Sequence, residues 1–143
     1  MIEAVLSDRL ERRFWLLALA QAAHSMEEMA SGLYDFFWTA TGRLHAILPA
    51  FPQTRMKATT FALLNMTFIA VLLGAVPFVR ARRPAAIGLA WVAAVIELIN
   101  GTGHLTGAVV FSGYVPGALT APLLLWTGFL LLSELRTGTG SRP

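Results

Sequence analysis

Two histidines and three carboxylates lie inside stretches of this 143-residue chain that are otherwise apolar. They form two clusters. One is His24-Ser25-Met26-Glu27-Glu28, and the other runs from Glu97 through Asn100 to His104. An ionisable group held at the centre of a bilayer costs roughly 2.5–3.5 kcal/mol on the insertion scale. Groups retained at that cost are expected to have a task. Imidazoles and carboxylates together bind metal ions or relay protons.

The spacing gathers each cluster onto one stripe. At about 100° of rotation per helical residue, His24, Glu27 and Glu28 fall within an arc of about 100°. Glu97, Asn100 and His104 fall within about 60° on the same arithmetic. His at i with Glu at i+3 or i+4 lets two side chains of one helix reach one ion. The expected metal ligands are therefore His24, Glu27, Glu28, Glu97, Asn100 and His104. The chain has no Cys, and an N/O ligand set suits a divalent transition metal such as Fe, Zn or Mn. With such an ion, Glu27 or Glu28 is the expected general base toward a metal-bound water. Oxidation by iron is equally open. The soluble di-iron bundles use Glu-x-x-His, an order that the first cluster reverses. The bland alternative is that His and Glu pair with one another as interhelical glue.

Composition says what must position these groups. The chain is 56% hydrophobic and only 13% charged, with mean hydropathy +0.63; soluble domains carry about 25% charged residues. Four apolar runs, each near the roughly 20 residues a span needs, extend from Phe14 to about Tyr34, Met56 to Val79, Pro84 to about Phe111, and Pro116 to Leu132. The expected fold is all-α, a four-transmembrane-helix bundle over residues 14–135. Residues 1–13 form a cytoplasmic N-terminal segment, and residues 136–143 form a flexible tail. Stripes of this kind should face the bundle interior. The first and third runs point the same way, so His24–Glu28 and Glu97–His104 overlap in height.

The long linker, residues 35–57, holds Phe36-Phe37-Trp38, Pro49 and Pro52. It suits an interfacial aromatic belt and a short interfacial helix. Arg9, Arg12, Arg13, Arg80, Arg82, Arg83, Arg136 and Arg142 share one side of a four-span topology, against Arg43, Arg55 and Lys57 on the other. Both termini are therefore expected in the cytoplasm. This grouping explains a pI near 10.2 without nucleic acid. Arg residues, a short apolar run and Ala18-Leu19-Ala20 imitate a signal peptide, but the apolar character continues past that point. Asn65 is the one amide in the second run, a candidate hydrogen-bond partner for a ligand. Gly103-x-x-x-Gly107 suits a small-residue packing seam, and Glu134 reads as an interfacial charge.

Three short motifs carry a resemblance: His24-x-x-Glu27-Glu28, Asn100-x-x-x-His104 and Tyr114-x-Pro116-Gly117. In this order they resemble the HXXEE domain family, described as small integral membrane proteins for which an enzymatic role has been suggested. The resemblance marks His24, Glu27, Glu28, Asn100, His104, Tyr114, Pro116 and Gly117. It does not cover Glu97, which rests on geometry. Pro116 and Gly117 read structurally as a helix start and a close backbone approach. Tyr114 lies just outside His104 in height and is the expected donor of a proton or hydrogen bond above the ion.

The function expected from these residues is a membrane metalloenzyme, a hydrolase or oxidase, with a His/Glu/Asn site acting on a lipophilic substrate. A proton-coupled small-molecule transporter using the buried carboxylates is the alternative. A haem bundle with His24 and His104 as axial ligands leaves the Glu pair unexplained, and a structural subunit leaves both clusters unused. Expected partners are membrane lipid and a lipophilic small molecule, with self-association open. Short loops and an Arg/Ala/Gly-rich composition point to a prokaryotic inner membrane.

Overall fold

The computed structural model describes residues 2–139, with side chains from residue 9 to residue 137. The expected flexible tail therefore lies partly outside the described residues. Five helices follow one another: α1 (Ile2–Ala30), α2 (Leu33–Ile47), α3 (Ala58–Arg80), α4 (Pro84–Val110) and α5 (Ala121–Thr139). No strand occurs among the described residues.

The all-α expectation holds, but the four-transmembrane-helix bundle does not. Among the described residues two helices are long and apolar enough to cross a membrane, α3 with mean hydropathy 2.2 and α4 with 1.6. Only 22% and 33% of their apolar windows are buried inside the protein, so most of that surface faces outward. The other two expected spans fail for different reasons. Helix α1 is continuous from Ile2, with charged residues through its first half and Glu27-Glu28 in its last turn. Helix α5 starts at Ala121 instead of Pro116, and its 19 residues include Glu134 and Arg136. An orientation argued from four spans, with both termini cytoplasmic, loses its basis with them. The linker expected to hold a short helix contains α2.

The core explains how the clusters meet. Along α4 the buried positions are Ala86, Ala90, Ala93, Ala94, Glu97, Gly101 and His104, which apart from the adjacent Ala93 and Ala94 follow one another at three or four residues, as one helix face requires. The alanines let neighbours approach closely. The alanines share one buried cluster with Phe14, Leu17 and Ala18 of α1, Leu72, Val76 and Val79 of α3, and Leu131 and Leu135 of α5. The apolar stripe of α4 thus runs directly into its polar continuation.

Gly101 rather than Gly103 carries the close packing. A Cβ on Gly101 would lie 2.9 Å from the Ala121 carbonyl oxygen, whereas a Cβ on Gly103 would meet nothing within 4 Å. At the other end lies Glu134. It is buried and pairs with Arg13 at 3.2 Å, and Arg13 also donates to the Leu130 carbonyl and the Ser133 hydroxyl. This clamp ties α1 to α5 far from the histidines.

Candidate metal centre

Helix α1 supplies His24 and Glu28 from successive turns of one face, and α4 supplies His104 from its buried stripe. Glu28 Oε1 lies 3.1 Å from His24 Nε2 and 3.1 Å from His104 Nε2. All three residues are buried, His24 completely. The imidazole rings meet edge to face, 4.7 Å between centroids. Three ligand atoms at metal–ligand distances of about 2.0–2.1 Å in tetrahedral geometry stand about 3.3 Å apart. Two edges of that triangle are already close to this length. These three residues could hold a metal ion, their ligand atoms lying within 4.8 Å of one another.

The protonation of His24 follows from its other nitrogen. His24 Nδ1 sits 2.7 Å from the Thr120 hydroxyl oxygen. That hydroxyl is also 2.6 Å from Glu27 Oε2. Burial raises the Glu27 pKa, but hydrogen bonds from the Thr120 and Tyr114 hydroxyls and the Leu119 and Thr120 N–H groups outweigh it and hold it at about 2. An ionised carboxylate only accepts, so Thr120 spends its one proton on Glu27. His24 Nδ1 must then carry a proton and donate it to Thr120. Nε2 is buried without a hydrogen-bond partner, its nearest polar neighbour being the Glu28 carboxylate oxygen at 3.1 Å. A lone pair facing a carboxylate oxygen is unfavourable until a cation or a proton stands between them.

Glu27 serves the segment before α5. Tyr114 Oη donates to its Oε1 at 2.8 Å, and the N–H groups of Leu119 and Thr120 donate at 3.1 and 2.8 Å. A carboxylate at this position also favours the positive end of the α5 dipole. Both its oxygens are thus engaged away from the three clustered ligands. Tyr114 is half exposed and directed at Glu27; burial and the Glu27 carboxylate push its phenol pKa up, so it remains a donor.

Gly117 completes the enclosure. Its φ is +91°, and a Cβ there would fall 2.6 Å from His104 Cε1, 2.7 Å from His104 Nδ1 and 2.8 Å from His24 Cε1. Its backbone thus lies directly over both imidazoles, where no side chain fits.

Glu97 is completely buried and lies outside the three-ligand cluster. The Gln21 amide, oriented by its partners, donates to Glu97 at 2.8 and 3.0 Å. Ser25 Oγ then lies 3.0 Å from Gln21 and 2.6 Å from Asn65 Oδ1. Asn100 hydrogen-bonds Glu97. Asn65 is thus linked to Glu97 through Ser25 and Gln21. Thr120 and Gln21 escaped the sequence reading. A Thr two residues before a Pro, as in Thr120-Ala121-Pro122, is a helix-start signal, and it could have pointed to Thr120.

The model of one family, described as "Protein of unknown function with HXXEE motif", matches residues 15–131. The chain belongs to the HXXEE family. No curated protein and no solved structure matches it. In this HXXEE protein the histidine and the second glutamate of the motif share one site with His104, while the first glutamate anchors the strap carrying Gly117.

Proposed function

We propose that this HXXEE protein is a membrane metalloenzyme in which His24, Glu28 and His104 hold one divalent ion beside a site for a lipophilic substrate. The observation that carries the reading is the buried, unpartnered Nε2 of His24, 3.1 Å from a carboxylate oxygen that His104 Nε2 approaches equally closely. Two imidazoles and one carboxylate leave coordination positions open, as in catalytic zinc sites and non-haem iron sites. Such an ion polarises a substrate oxygen and lowers the pKa of bound water. The chain's own part is to orient it. Thr120 and Glu27 fix the His24 tautomer, and Gly117 covers both rings. Location in a membrane is supported by the outward apolar surfaces of α3 and α4.

Metal titration of chelator-treated protein tests this. Wild type should bind about one equivalent of Zn, Fe or Mn, and Glu28→Gln should lose most of that affinity while keeping its helical content. Glu97, fully buried among amides, favours a second reading as a proton-coupled transporter. In that case proton release on ligand binding should depend on Glu97 and be indifferent to metal.

A further inference from the structure

A cavity of about 550 Å³ opens beside Glu28 and His104, between α1, α2, α3 and α4. This size falls within the usual range for small-molecule sites. Phe36, Phe37, Phe61 and Phe111 form much of its wall. Its polar lining besides Glu28 and His104 consists of the amides Gln21, Asn65 and Asn100. Among the described residues no Lys or Arg lines it. The guanidinium of Arg43 approaches only as far as the Phe111 ring, 4.3 Å from its centroid.

We infer that this cavity takes an uncharged amphiphile: an apolar chain or ring among the phenylalanines, ending in a neutral carbonyl or hydroxyl oxygen next to Glu28 and His104. The inference rests on the metalloenzyme reading and names its substrate class. Charge balance carries it. Among the described residues the lining offers one carboxylate, Glu28, and no Lys or Arg. A phosphate or carboxylate head would place a second acidic group beside Glu28 with no Lys or Arg in the lining to pair with it, and an unpaired buried charge is costly. A neutral oxygen can approach an ion at an open coordination position without that penalty.

Gly103 provides a variant that fills the cavity without touching the ligands. It lines the wall, and a Cβ there meets nothing within 4 Å. Ala40, on the α2 wall, allows the same test from the opposite side.

The test is photolabelling of full-length protein in phosphatidylcholine nanodiscs with diazirine-bearing hexadecanol, hexadecanamide and hexadecanoate, with metal content measured on the same samples. The neutral probes should label α2 and the C-terminal half of α4 at least tenfold more than hexadecanoate. Gly103→Leu and Ala40→Phe should each reduce that labelling about tenfold while metal content is kept. Equal labelling by hexadecanoate, or labelling untouched in both folded variants, would overturn the inference. Metal bound without cavity labelling overturns the cavity inference and leaves the metal reading standing. Selective labelling of metal-free wild type supports the cavity inference and overturns the metal reading.

Discussion

Gly117 and His104 are in such close contact that a single added methyl would collide with the imidazole, 2.6 Å from Cε1. The collision falls on a buried ring, and φ at Gly117 is +91°, so the backbone is strained for any L side chain as well. Gly117→Ala should cost about 1–3 kcal/mol of stability, as overpacking does. It should also weaken metal binding at least tenfold. Thermal unfolding and metal titration check this, and wild-type affinity in the variant would show that the strap does not position the rings.

Thr120 should act through its hydroxyl alone. Thr120→Ser keeps an oxygen between Glu27 and His24, and Thr120→Val removes it. Loss of an outer hydrogen bond to a ligating histidine usually costs 10–100-fold in metal affinity. The valine variant should show that loss and a mixed His24 tautomer by nitrogen NMR. The serine variant should show neither.

Glu27 makes stability depend on pH in acid. Its pKa in the folded protein is about 2, below the ordinary 4.5. The stabilisation it gives is fully present above about pH 4.5 and is lost as pH falls toward 2, because the unfolded chain takes up the proton first. Glu27→Gln should flatten the stability profile in that window. An unchanged slope between pH 5 and 2.5 would assign the acid sensitivity to other groups.

Arg13 separates scaffold from site. Its removal leaves Glu134, with 8% of its side chain exposed, without its 3.2 Å partner. Arg13→Ala should destabilise the protein by about 1–3 kcal/mol, the usual cost of a buried group left unsatisfied. Metal content should stay at the wild-type level. Loss of metal from a folded Arg13→Ala protein would mean that the clamp and the site are coupled.

Helical periodicity made the meeting of His24, Glu28 and His104 legible, because a 3.6-residue repeat places side chains around a helix before any packing is known. It could not separate Glu27 from Glu28. These flank His24 on the helix surface, and their roles are divided by residues 114–120, whose backbone donors claim one of them. The same segment hid the start of α5. Pro116-Gly117 reads as a helix beginning, but Gly117 adopts a left-handed conformation and the helix waits until Ala121. Glu97 lies on the stripe that was expected, yet Gln21 reaches it first. Hydropathy marked α3 and α4 as spans and overstated α1 and α5, where apolar runs share a helix with charges.

The most direct measurement is elemental analysis of detergent-purified wild type beside the His24→Ala/His104→Ala double variant. About one equivalent of Zn, Fe or Mn in wild type, absent from the folded double variant, is the expected result. A wild type that holds no metal after reconstitution, or a double variant that holds as much, would contradict the account.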